Sequence, residues 1–115
     1  MLLVHAEEVT AQAVADPGAS GVTMRWVLAR PEGAPNFAMR MLELEPNGQT
    51  PLHEHAWEHE VFILEGQGQL MTKDGPRAFA AGDAALVLPQ EPHQFRNTGG
   101  STLRFLCLIP LPEEG

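Results

Sequence analysis

The sequence has no tyrosine, one cysteine and one lysine, and each shortage removes a class of protein. The lone Cys107 cannot form an intramolecular disulfide, so folding does not depend on an oxidising compartment. Seven basic residues against 15 acidic ones give a formal charge of −8. Sequence-independent binding to nucleic acid or to an anionic membrane needs clustered Lys and Arg, so neither is expected as a partner. No apolar run is long enough to span a bilayer. The opening "MLLVHAEEVTAQAVA" lacks a basic leader and is broken by His5, Glu7 and Glu8, so it resembles neither a signal peptide nor a membrane anchor, and the cytoplasm is the default location. With no tyrosine, and with Lys73 in an expected turn, few side chains other than histidine are placed for proton transfer.

The 115 residues suffice for one core and leave no room for a second, so a single domain over 1–115 is expected. Eleven glycines and ten prolines punctuate the chain into short apolar runs and exclude long helices. The runs at 21–29, 36–44, 60–66, 68–72, 83–88, 93–97 and 102–109 read as strands bounded by Gly, Pro, Asn or Asp. Turn chemistry falls at "PNGQ" (46–49), "KDGPR" (73–77), "AAGD" (80–83) and "NTGG" (97–100). A short helical turn is expected only within 6–15. The fold class is all-β, a sandwich or barrel.

The chemistry concentrates in "HEHAWEHE", residues 53–60, with three histidines and three glutamates. In an extended chain His53 and His55 emerge on one side, roughly 6 to 7 Å apart, and Glu54 points to the other. A His-x-His pair alone is most often a solvated surface feature. Here a further histidine, His93, follows in "GDAALVLPQEPHQFRN" after a glycine-initiated strand and a proline-containing turn.

Together these segments resemble the paired motifs of the cupin superfamily. Gly48, His53, His55 and Gly66 match the first motif, with its opening gap one residue short. Gly82, His93 and Asn97 match the second at the family spacing, with its proline displaced to Pro89 and its middle glycine replaced by Gln90. The resemblance implies a double-stranded β-helix, or jelly-roll barrel, over 36–110, preceded by an N-terminal arm at 1–20. It also implies a divalent metal held by His53, His55, His93 and one further ligand. Counting back from Gly66 along a strand of fixed parity makes that ligand His59; counting forward from His55 makes it Glu60, the alternative. The first count is preferred. On that register His59, Val61 and Ile63 face inward, while Glu58, Glu60 and Phe62 face out.

Four neutral imidazoles suit a transition ion, Mn or Fe first, with Zn, Ni, Co or Cu also allowed. An octahedral ion would keep two positions open, which makes a metal-dependent oxidoreductase of the dioxygenase type the first functional expectation. The alternatives are a non-redox metal enzyme (cyclase, isomerase or hydrolase) and a non-catalytic binding cupin. The substrate is expected to be a small molecule and the chain to pair as a homodimer through a sheet edge. Phe95, Phe105 and Cys107 are candidates to line a pocket above the ion, and Trp57 to cover its mouth. Arg40 could hold an anionic substrate, but its alternation with Met39 and Met41, read with Phe37 as a core face, places it outward. No catalytic residue beyond the metal ligands is assigned.

Overall fold

A computed structural model describes residues 1–111 of the chain. It contains nine strands: β1 (Gln12–Ala13), β2 (Ser20–Leu28), β3 (Phe37–Gln49), β4 (His59–Glu65), β5 (Gln67–Thr72), β6 (Gly75–Ala80), β7 (Ala84–Val87), β8 (Gln94–Asn97) and β9 (Leu103–Pro110). Single turns of 3-10 helix at Ala6–Glu8 and Arg30–Glu32 are the only helices among the described residues, and none is long and apolar enough to cross a membrane. The strands form one antiparallel sheet in the order β6-β5-β8-β3-β9-β4-β7, with β2 also paired to β3 and β1 to β2. The sheet curls into a half-barrel of the jelly-roll type, as the all-β expectation requires.

One face of this sheet is buried because its strands alternate. On β9, Leu103, Phe105, Cys107 and Ile109 are buried and the residues between them only partly so. On β4 the same period buries His59, Val61 and Ile63 and exposes Glu60, Phe62 and Leu64. Val61 lies opposite Cys107 and Ile63 opposite Phe105, so the inward side chains of the two strands share one core, with Phe95 stacked on Phe105 at 4.8 Å between ring centroids. Burying a Phe or Leu side chain contributes about 2 to 3 kcal/mol, so these few positions carry much of the stability.

Several expectations are corrected. "PNGQ" is not a turn between strands but a bulge inside β3: Val22 pairs with Leu44 and Ser20 with Gln49, so the residues between Leu44 and Gln49 bulge opposite Gly21. Asn47 takes a left-handed φ of 67° there, and a Cβ on Gly48 would come within 2.8 Å of the Glu45 carbonyl oxygen. The "KDGPR" segment is only half turn. Lys73 and Asp74 make the bend and Thr72 pairs with Gly75, which opens a sixth strand not expected from sequence. Pro76 fits because β6 is a sheet edge, where a missing N–H breaks no ladder. Near the N-terminus the helical turn spans only Ala6–Glu8, and Gln12–Ala13 join β2 instead. The inward face of β3 is Ala38, Arg40, Leu42 and Leu44; Phe37 is 61% exposed, and Met39 and Met41 lie on the opposite side.

Two residues of the signature motifs act on the backbone. Gly66 links β4 to β5 with φ of 92°, and a Cβ there would sit 3.0 Å from the Leu103 backbone, so a side chain is excluded both by conformation and by space. Asn97, 3% exposed, donates to the carbonyls of Leu44 (3.0 Å) and Ser101 (2.8 Å) and accepts from Gly99 N–H (2.9 Å). It thereby ties β8 to β3 and closes the "NTGG" turn. Asn97→Ala should lower unfolding stability by about 2 kcal/mol in urea denaturation, because buried carbonyls lose their donors; an unchanged midpoint would show that water replaces the amide there.

Candidate metal site

The two histidine segments are joined by backbone before any side chain is considered. His53 and His93 form an isolated antiparallel bridge, with hydrogen bonds of 3.2 Å from His53 N–H and 3.0 Å from His93 N–H. Gln90 N–H adds a 2.7 Å bond to the His55 carbonyl. Gln90 stands where the family motif has glycine and still adopts a left-handed φ of 63°, a conformation that costs a side-chain-bearing residue roughly 1 kcal/mol. The turn geometry is thus kept although the residue differs.

This clamp brings the imidazoles together. His53, His55 and His93 each offer a ring nitrogen, all within 4.8 Å of one another. His59 is outside that triad by this measure, but its ring stacks on His55 at 4.3 Å and lies 5.2 Å from His93. Burial runs from exposed His53 through half-buried His55 to His59 and His93, 6% and 3% exposed. Glu60 projects from the outward face of β4 and is not brought to the cluster.

Hydrogen bonding fixes which nitrogen each ring presents. Nδ1 of His55 lies 3.2 Å from the Trp57 carbonyl and Nδ1 of His93 lies 2.9 Å from the Glu91 carbonyl. A carbonyl only accepts, so each neutral ring carries its proton on Nδ1 and leaves a lone pair on Nε2. His59 Nδ1 lies 3.0 Å from Cys107 Sγ, and its Nε2 is buried without a hydrogen-bond partner. A buried, unpaired ring nitrogen is costly unless something absent from the chain completes it. The donor set and this orphaned atom fit a transition ion held by imidazole.

Charge on the cluster is disfavoured. Burial lowers the pKa of His53, His55 and His59 from the ordinary 6.5. The effect is largest at His59, lowered to about 3 by burial first, then by the Arg40 guanidinium and the neighbouring rings. Burial pushes the Cys107 thiol up. His53, His55 and His59 are therefore neutral near pH 7, the state a metal ligand needs.

Arg40 corrects the sequence expectation of an outward, solvated side chain. Its Nη2 donates to Cys107 Sγ at 2.9 Å, so Arg40, Cys107 and His59 form a line through the interior. Anchoring β3 on Leu42 and Leu44 rather than on its methionines would have found this. A cavity of about 100 Å³ is lined by Arg40, His53, His59, His93, Phe105 and Cys107, with Phe95 also in its wall. Val14, Asp16 and Met24 also line it, so the N-terminal arm and β2 contribute to a wall that no motif indicated. A larger space of about 680 Å³ lies between the two ends of the curled sheet and shares His93 and Phe95 with the first. Trp57, 46% exposed, stacks on His55 at 4.5 Å, nearly parallel, outside the small cavity's wall.

Comparison with known proteins gives concordant matches. The sequence profile of the cupin domain family matches residues 40–109. The oxalate-binding protein of Thermotoga maritima is 30% identical over 96% of this chain and 94% of its own length. The 1-methylthio-D-xylulose 5-phosphate methylsulfurylase of Rhodospirillum rubrum is 34% identical over 62% of this chain, and the match spans only 46% of that protein. Among solved structures, the polyketide cyclase RemF of Streptomyces resistomycificus superposes with a TM-score of 0.91 at 38% identity, covering 100% of this chain and 82% of that one.

The lowered histidine pKa values set a pH dependence. Between pH 6.5 and about 3 the unfolded chain protonates a histidine that the folded chain keeps neutral at position 59, so stability rises with pH across that window. The metal-free protein should hold its full urea midpoint above pH 6.5 and lose it progressively below, and His59→Gln should flatten the profile. A wild-type midpoint that stays level from pH 7 to pH 5 would contradict the burial argument.

Proposed function

This chain belongs to the cupin domain family, and from that premise we propose that it is a metal-dependent enzyme acting on a small oxygen-bearing molecule without net oxidation, in the manner of a cyclase or isomerase. The observation that carries the reading is the partnerless, buried Nε2 of His59, set beside His55 and His93 rings whose Nδ1 positions are already committed to carbonyls. His53, His55, His59 and His93 would hold a divalent transition ion, Mn, Fe or Zn among the possible occupants. When bound there by neutral ligands, such an ion supplies Lewis acidity that polarises a coordinated substrate oxygen.

The chain's own part is to position and to exclude water. Carbonyls of Trp57 and Glu91 hold two rings in one tautomer, which fixes the direction of each lone pair. Phe95 and Phe105 form a dry wall beside His93, where electrostatic interactions are stronger than in water. Similarity to a protein named a polyketide cyclase along the whole chain supports non-redox chemistry over the dioxygenase that the sequence ranked first. So does Cys107, whose sulfur lies 3.0 Å from a ring nitrogen of His59 and would be an oxidation target in an oxygen-activating site. The oxygen-dependent reading keeps one support, the apolar wall that admits dioxygen as readily as it excludes water.

His59→Ala and His93→Ala should each weaken Mn²⁺ or Zn²⁺ binding by at least about tenfold in competition titrations, while Glu60→Ala leaves it unchanged. The reverse pattern would replace His59 by Glu60 in the ligand set. Turnover of carbonyl substrates should survive exchange of Mn for Zn and yield products that gain no oxygen; oxygen uptake tied to Mn or Fe would return the oxidoreductase to first place. The homodimer is also a proposal. Phe62, Leu64, Leu86 and Leu88, exposed on β4, on β7 and just beyond it, support pairing across this edge of the sheet. Light scattering should give twice the chain mass for the wild type and the monomer mass for Phe62→Glu.

A further inference from the structure

We infer that Arg40 is the anchor for an anionic group of the substrate, a carboxylate or an enolate oxygen, seated in the small cavity beside the histidine cluster. The inference rests on the metal reading for the second half of the binding site and on Arg40 alone for the first. Its basis is a cation without a counter-charge. The guanidinium reaches only soft partners: Cys107 Sγ at 2.9 Å, Met24 Sδ at 3.7 Å, and the Trp26 ring at 5.4 Å from its centroid. Its Nε is buried with no hydrogen-bond partner. By contrast Arg25 and Arg104 both pair with Glu43.

Sulfur accepts hydrogen bonds weakly, so Nη1 and Nη2 have only soft acceptors and Nε has none. Among the described residues no carboxylate lies within ion-pair distance of it. Asp16, in the cavity wall, is exposed. A partly buried cation with a buried, unpartnered Nε and no carboxylate beside it, in a chain with 15 acidic residues, is a site prepared for a mobile anion, because a bound anion would offset its partial desolvation.

The position specifies the ligand further. Arg40 and His59 contact the same sulfur, at 2.9 Å and 3.0 Å, and line one cavity with His53 and His93, so an anion on Arg40 has the imidazole cluster as its neighbour. The cavity of about 100 Å³ equals the volume share of roughly three waters, enough for a carboxylate and the carbon beside it. The remainder of a larger substrate would pass His93 and Phe95 into the space of about 680 Å³ that shares those two residues. The class indicated is a 2-oxo or 2-hydroxy acid, or a compound that presents an enolate with the same spacing, whose second oxygen faces the histidines.

The test uses the full-length chain, Mn²⁺-loaded and metal-free, with pyruvate as the anionic probe and hydroxyacetone as its uncharged counterpart, titrated calorimetrically into wild type, Arg40→Met and Arg40→Gln. Pyruvate affinity should fall at least about tenfold in both variants, as expected for loss of a charged hydrogen bond. Hydroxyacetone binding should stay the same, and Mn²⁺ affinity should not drop, since removing a positive charge beside a cation does not repel it. Arg40→Gln can still donate to Cys107 Sγ and serves if Arg40→Met does not fold. Equal pyruvate affinity in wild type and variants overturns the inference. If the wild type takes up no Mn²⁺, the metal reading is lost and the metal-free titration decides for Arg40: pyruvate binding that Arg40→Gln abolishes sustains the anchor, and binding that is absent or unaltered overturns it.

Discussion

A pair of backbone hydrogen bonds between His53 and His93 is the constraint on which the site depends. They join two segments far apart in the chain, and neither segment could orient its imidazoles from local structure alone. A loop that carried the His-x-His pair without this bridge would leave both rings to solvent. With it, His53 and His93 rings come to 4.8 Å between centroids, and the strand that begins at His59 supplies a further ring from beneath. The core of Phe95, Phe105 and Leu103 fixes the positions of β8 and β9, so the packing that stabilises the half-barrel also sets the distances within the cluster.

The electrostatics follow from that placement. Three imidazoles and a guanidinium line one small cavity, with the His55 ring packed against the other histidines, in a chain of net charge −8, and the acidic residues responsible for that charge lie mainly on the surface. The interior is therefore rich in nitrogen, with lone pairs on one side and unsatisfied N–H donors on the other. A metal ion would complement the first and an anion the second, as proposed above. Cys107 stands between them and touches both, which couples the orientation of His59 to that of Arg40 through a single sulfur.

Much of this was legible because strand parity is a strict rule. The inward set His59, Val61 and Ile63, and the set Phe105, Cys107 and Ile109, follow from a period of two once one member is assigned to the core. The same rule misplaces Arg40, since β3 offers apolar residues on both faces and its methionines compete with Leu42 and Leu44 for the inward one. Leu42 and Leu44 decide the matter in the folded chain, and Met41 is buried on the opposite side of the strand. The bulge at Glu45–Gly48 and the strand Gly75–Ala80 were missed for a related reason: Gly, Pro and Asn signal a break in regular pairing but do not say whether the chain turns or merely bulges.

By itself the sequence determined the all-β class, the family, and the histidines that the fold brings together, because side-chain alternation, turn residues and motif spacing are local properties written in consecutive positions. Only the tertiary structure decided that Arg40 points inward, that its partners are sulfurs rather than carboxylates, that Glu60 lies on the far face from His59, and that the N-terminal arm walls the cavity. Those outcomes depend on which of two apolar faces the rest of the sheet covers and on which distant groups then meet, and no window of neighbouring residues contains that information.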